Sequence, residues 1–186
     1  PNSPSPLASL HLRKVKKVLF SSVVPKTYKV IKKFFLNKFQ IKTYEVKDIK
    51  LHKRLLRLLY EHNEEHVGSC FSCVDIIDNI FKTKAEDDIF VLSNGHAAYA
   101  LYSVLEKYYP HVDADALVNK HGGHPNRDEE NHIYCSAGSL GMGIMMAVGR
   151  AVANPSRKVH VMISDGESTE GSVWEAAMAA KHFNLD

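Results

Sequence analysis

Asp165 stands one residue before Gly166, at the end of the apolar run Val159-His160-Val161-Met162-Ile163 and ahead of a helical pattern that begins near Trp174. A carboxylate beside a glycine suits a hard cation such as Mg²⁺ (or Ca²⁺), and Mg²⁺ usually takes one or two carboxylates plus phosphate oxygens. Gly166 lets a phosphate approach the backbone closely. An Asp-Gly turn without any ligand gives the same dipeptide, so the rest of the chain has to decide. His96 follows a second apolar run, Ile89-Phe90-Val91-Leu92, at the turn Asn94-Gly95. His66 stands in Glu64-Glu65-His66-Val67, and His121 and His124 flank the pair Gly122-Gly123, with Pro125 stiffening the exit. Imidazoles titrate near neutrality and can shuttle protons between oxygens. Together with His111, His132 and Cys135 they also raise a zinc reading. The loop spacing of His121 and His124, with no Glu between them, lacks the helical geometry of the metalloprotease motif. Cys70 and Cys73 form a CxxC; a redox or zinc role needs a thioredoxin-like context or a second ligand pair, and core cysteines are the simpler reading.

The elements that would carry these residues follow from hydrophobic periodicity. Ile49, Leu51, Leu55, Leu56, Leu58 and Leu59 predict a helix with a broad apolar face. Gly68 predicts a turn, and Cys73 to Phe81 a second helix with Ser72 as its N-cap. Two short β-branched runs, each ending in a Gly-containing turn before a helix, predict strand–turn–helix units of a parallel α/β sheet flanked by helices. Ligands of such sheets sit at the carboxyl ends of the strands. Gly138-Ser139-Leu140-Gly141-Met142-Gly143 is a small-residue turn entering a helix, where the backbone can come close to a ligand or a neighbour. It is not a phosphate-binding Gly-Lys-Ser/Thr loop, and no preceding strand makes it a dinucleotide fingerprint.

Composition bounds the rest. The 186 residues, 45% hydrophobic and 24% charged, suit one globular core with an appendage. The net charge of +3 hides an asymmetry: residues 1–45 hold ten of the 24 Lys/Arg and one of the 21 acids, leaving a balance of −6 in the remainder. That segment reads as a basic extension, partly disordered and partly helical, distinct from a domain over 46–186. Its basic clusters interleaved with Leu19, Phe20, Phe34, Phe35 and Phe39 allow contact with an anionic membrane or nucleic acid, or no role at all. Three cysteines make no disulfide framework, and no secretory signal pattern is present, so reduced thiols in a cytoplasm are expected.

In order, five motifs resemble the thiamine-diphosphate-binding half of transketolase, most nearly the separately encoded N-terminal subunit of split transketolases. They are His66-Val67-Gly68-Ser69, Leu92-Ser93-Asn94-Gly95-His96-Ala97, Gly123-His124-Pro125, Gly138 to Gly143, and Ser164-Asp165-Gly166-Glu167 through Glu170-Gly171-Ser172-Val173-Trp174-Glu175-Ala176-Ala177. The resemblance covers roughly Lys47 to Asp186. It implies an incomplete thiamine-diphosphate-binding fold and two-carbon ketol transfer between sugar phosphates. By position it implies that Asp165 binds the metal that clamps the diphosphate, with Gly166 and Glu167 beside the phosphates. Gly138 and Leu140 match backbone contacts to the cofactor, and His96 a cofactor-side histidine. His66 and His124 match catalytic histidines lining the sugar channel, and Glu170 an acid at the subunit interface. The implied partners are a pyrimidine-binding subunit or domain and a homodimer or heterotetramer, with no nucleic acid.

Ser164 stands where that family usually has Gly, and Glu65 and Val67 replace Gly and Pro around His66. The chain stops before the downstream Asn that completes the family's metal site, and the Glu that activates the cofactor belongs to the pyrimidine-binding module. An inactive isolated chain is therefore expected. Two other readings are a deoxyxylulose-phosphate-synthase-like enzyme and a degenerate module serving as a binding scaffold.

Overall fold

Ile89–Leu92 is an unbroken apolar run with all four residues buried, as expected of a strand covered on both faces. In the computed structural model it pairs in parallel with Val159–Met162, in the register Ile89↔Val159 through Leu92↔Met162. The structure describes residues 18–20, 33, 37, 43–45 and 49–185. The chain divides after Ile49 into two units.

In the first unit, β1 (Val18–Phe20) and β2 (Thr43–Glu45) pair in parallel. The rest of the expected basic extension, helical or disordered, falls almost wholly outside the described residues.

In the second unit, α1 (Ile49–Glu61) buries Leu51, Leu55, Leu58 and Leu59, the spacing of one helical face. The next helix, α2 (Val67–Thr83), buries Cys70, Cys73, Val74, Ile77 and Phe81. It begins six residues earlier than expected, with His66 and not Ser72 at its N-cap. Gly68 is its second residue, not a turn, and a Cβ there would meet nothing within 4 Å. Ser72 lies inside the helix, where its hydroxyl donates back to the Ser69 carbonyl at 3.0 Å. The apolar stripe through Cys70 and Cys73 extends the helix backwards, because buried contact outweighs the weak propensity of one glycine.

After β3 (Ile89–Leu92) comes α3 (Ala98–Tyr108), whose first eight residues are all buried. It forms the centre of the helical core, packing on α2 and on α4 (Ala114–His121). The side chain of Asp113 caps α4 by accepting from the amides of Asp115 and Ala116. Then α5 (Met142–Ala153), β4 (Val159–Met162) and α6 (Gly171–His182) complete the described chain.

Alternation along β3 divides the interior. Phe90 and Leu92 join the large core of α1 to α4, whereas Ile89 and Val91 face a smaller cluster with Cys135 and Ala147. The crossover from β3 to β4 therefore places helices on both faces of a two-stranded parallel sheet, an incomplete α/β domain. Among the described residues, no helix is long and apolar enough to cross a membrane.

Candidate functional site

Parallel strands put both carboxyl ends on one edge of the sheet. Past β3 the chain makes a 3₁₀ turn at Gly95–Ala97, and past β4 another at Glu167–Thr169. His96 and the Ser164-Asp165-Gly166-Glu167 turn thus emerge side by side. The small-residue loop at 138–143 enters α5 at the same edge, where Gly141 takes φ +78°. Gly95 is also indispensable: a Cβ there would lie 2.7 Å from both the carbonyl carbon and the oxygen of Ala137.

Glu167 fastens these three segments together. It is fully buried, and its Oε1 accepts from Ser93 Oγ at 2.7 Å and from the Gly141 amide at 2.9 Å. Its Oε2 accepts from the Ser164 amide at 3.1 Å. Ser93 Oγ in turn accepts from the Ile144 amide at 3.1 Å. The carboxylate beside the turn therefore already spends its acceptors on the protein. It shapes the turn from beneath.

Asp165 is different. Its carboxylate is exposed and has no side-chain hydrogen bond or ion pair among the described residues. The turn is held instead by its backbone, the Asp165 carbonyl accepting from the Ser168 amide and hydroxyl. Beside it, the Cβ side of Gly166 meets only the Ser164 hydroxyl, at 3.9 Å. An open carboxylate next to accessible backbone is a donor set that suits a cation bridging to phosphate oxygens. It is one carboxylate only: among the described residues no three His, Cys, Asp or Glu side chains gather to hold a metal.

Three imidazoles converge from three loops. The His66 ring lies 5.4 Å from His96 and 6.0 Å from His124, centroid to centroid. Both nitrogens of His96 and of His124, and Nε2 of His66, have no hydrogen-bond partner among the described residues. His66 Nδ1 is engaged by Glu64 Oε1 at 2.7 Å. Burial, with His66 and then His124 nearby, pushes His96 below the ordinary imidazole range against the pull of Glu167. His96 is therefore neutral at pH 7, with one ring nitrogen able to accept a proton. Gly138 backs this cluster, its Cβ direction leading to the His124 ring at 3.5 Å. Leu140 and Glu170 are exposed, Glu170 at the N-cap of α6 and against Gly141.

The other histidines serve elsewhere. His121 is buried against Asp128 at 3.0 Å, and His132 stacks on Tyr109 with centroids 3.5 Å apart. The cysteines are free and buried; burial pushes the Cys70 thiol up to about 12 and raises Cys73 and Cys135 as well, so none is a thiolate at neutral pH.

Sequence reasoning missed three residues here. Glu64 is visible in hindsight as a carboxylate two residues before a histidine. Ser93 and Asn94 stand in the motif Leu92 to Ala97, but nothing local marks their side chains as turning inward. The buried Asn94 side chain donates to Cys73 Sγ at 3.3 Å, and its Oδ1 is an acceptor with no donor among the described residues.

Residues 61–186 match the family model described as the thiamine diphosphate binding domain of transketolase. The chain is 31% identical over 166 residues to an apulose-4-phosphate transketolase subunit of Phocaeicola vulgatus, covering 79% of this chain and 59% of that protein. It is 35% identical over 141 residues to transketolase-like protein 2 of Mus musculus, covering 65% of this chain and 22% of that protein. Identity to the 6-deoxy-6-sulfo-D-fructose transketolase subunit SqwG of a Clostridium species is 40% over 111 residues, 54% of this chain and 40% of that protein. The chain thus spans little more than half the length of the apulose-4-phosphate transketolase subunits it matches.

Proposed function

Because the chain belongs to the transketolase family through its thiamine-diphosphate-binding domain, we propose that it supplies the diphosphate side of an enzyme moving two-carbon ketol units between sugar phosphates. The observation that carries this reading is the open Asp165 carboxylate at a strand tip, on the same sheet edge as three converging imidazoles with unpartnered nitrogens. Asp165 would hold Mg²⁺ or Ca²⁺, and the backbone at Gly166 would sit against the diphosphate. Gly138 and Leu140 would offer backbone contacts to the cofactor's rings. Bound thiamine diphosphate would supply the electron sink that ketol cleavage needs and no side chain offers.

The chain's own residues then act on protons and position. Neutral His96 accepts a hydrogen bond from a hydroxyl on the cofactor side of the channel. His66, through its open Nε2, and His124 face the sugar oxygens and move protons as the C–C bond breaks and forms. Glu167 holds the turn in shape from below, and that is its part in cofactor binding.

Catalysis by this reading needs further residues, since the described chain offers one metal-binding carboxylate. A pyrimidine-binding partner fits the relatives whose names make them subunits. The exposed Glu170, with Trp174 62% and Met178 66% exposed on the following helix, would lie in that interface or in a symmetric pairing of copies. The test is ketol transfer by this chain combined with a pyrimidine-binding transketolase subunit, thiamine diphosphate and Mg²⁺. Activity that requires the partner and vanishes in Asp165→Asn is the expected result. Full activity in Asp165→Asn sinks the assignment.

A second reading is a non-catalytic binding module. Calorimetry separates the two: the assembled complex binds thiamine diphosphate with Mg²⁺ if catalytic, and gives no heat if it is a scaffold.

A further inference from the structure

Glu64 belongs to neither the metal turn nor the trio of imidazoles, yet it touches the loops that carry two of them. Its Oε1 accepts from the backbone amide of His66 at 3.0 Å and lies 2.7 Å from the same residue's Nδ1. Its Oε2 occupies the space beside Gly123, where a Cβ would come within 2.6 Å. The side chain is 12% exposed. Burial pushes its carboxyl up, but the bonds from the His66 amide and ring outweigh that and hold it below the usual carboxylate range. It is therefore an anion at neutral pH and can only accept.

The geometry points to Glu64 as the positioning residue that fixes which nitrogen of His66 carries the proton. A carboxylate at Nδ1 demands a hydrogen there, so neutral His66 is the Nδ1–H form, and its bare Nε2 is left to the cluster with His96 and His124. The same carboxylate is lodged against Gly123, one residue before His124. Gly123 is the space-giver in this arrangement. It lacks a positive φ, so an added Cβ would disturb the neighbouring carboxylate and not the residue's own backbone.

This rests on the reading that the three imidazoles line the sugar channel, because only there does the choice of nitrogen matter to a reaction. A His66 that presents a bare Nε2 takes a proton from a sugar hydroxyl. One that presents Nε2–H can only donate in its neutral form. The role is orientation through another side chain; Glu64 itself need not meet the substrate.

The experiment is long-range ¹H–¹⁵N NMR of the full chain with labelled histidine, at a pH where His66 is neutral. The wild type shows Nδ1 protonated and Nε2 bare. Glu64→Ala exchanges the two signatures towards Nε2–H. Glu64→Gln keeps the wild-type pattern, since an amide oxygen still accepts. Gly123→Ala, which displaces the carboxylate end without touching His66, moves the pattern in the direction of Glu64→Ala. His111 and His132 resonances that stay in place show that each variant is folded. A wild-type His66 already protonated on Nε2, or one indifferent to Glu64→Ala, overturns the assignment. Failure of the functional reading is separable: it appears as no cofactor binding in the assembled complex, with the tautomer as proposed. In an active complex, Glu64→Ala lowers kcat by roughly 10- to 100-fold, the scale of a misplaced catalytic group, and Glu64→Gln restores most of it.

Discussion

Removing the Glu167 carboxylate tests whether the strand-tip edge is one fastened unit. Glu167→Ala leaves three donors behind: the Ser93 hydroxyl and the Gly141 and Ser164 amides. A buried donor stripped of its acceptor costs about 1–3 kcal/mol, and removing an anion's own burial cost works the other way. With the bonds sharing one carboxylate and so not additive, the net loss is about 3–5 kcal/mol. That is a large share of the roughly 5–15 kcal/mol that holds a domain folded. Glu167→Gln is the sharper variant. Its volume is nearly unchanged, and one oxygen can still serve Ser93 and Gly141. Its NH₂ group then faces the Ser164 amide, donor against donor, for about 1–2 kcal/mol. Urea unfolding reads both, as a lower midpoint with an unchanged m-value. Native-state hydrogen exchange adds a local reading, in which the Gly141 and Ser164 amides lose protection together. An alanine variant within about 0.5 kcal/mol of wild type, the range of inconsequential surface changes, refutes the reasoning. So does a glutamine variant less stable than the alanine one.

Gly95→Ala drives a methyl into the Ala137 carbonyl at 2.7 Å, where backbone cannot give way; the expected destabilisation is about 1–3 kcal/mol, seen as a lower urea midpoint. Asp128 supplies an acid-limb prediction. Burial raises its carboxyl, but hydrogen bonds from Lys120, Asn131 and His121 prevail and hold it at about 2 against an ordinary 3.8. Its contribution of about 2 kcal/mol is present above pH 4 and lost as the pH falls through 2; stability of Asp128→Asn measured from pH 5 to 2 lacks that slope. His96 has the opposite chemistry and the same direction. With its folded value depressed, the unfolded chain takes up the proton first, so its contribution holds above the ordinary imidazole range and is lost as pH falls through the folded value. An NMR titration places the His96 midpoint below that of an unstructured histidine, and His66→Ala raises it.

What could be read beforehand was whatever a repeating period or a short-range turn encodes. The apolar runs at 89–92 and 159–162 announced strands, and their glycine-containing exits announced the edge where His96 and Asp165 emerge. The convergence of His66, His96 and His124 followed from motif order, a property of relatives and not of spacing along this chain. The start of α2 was misplaced because Gly68 and Ser72 carry strong local preferences that a buried stripe overrides. Glu167 was placed at the right turn, but nothing local shows that its carboxylate turns inward to bonds with residues 26 and 74 positions away. Glu64 escaped for a similar reason: its partner is two residues off, yet its effect depends on Gly123 across the fold.

The bare face of Gly95 has a consequence for synthesis. The wall it presses on is the backbone of Ala137, which leaves the ribosome well after His96 has done so, and β3 must wait longer still for β4. A nascent chain that has passed only α3 holds His66 and His96 without the Ala137 backbone that closes on Gly95. Assembly of this edge therefore waits for the synthesis of Val159–Met162, and a pause before Val159 leaves β3 without its only hydrogen-bonded neighbour among the described residues.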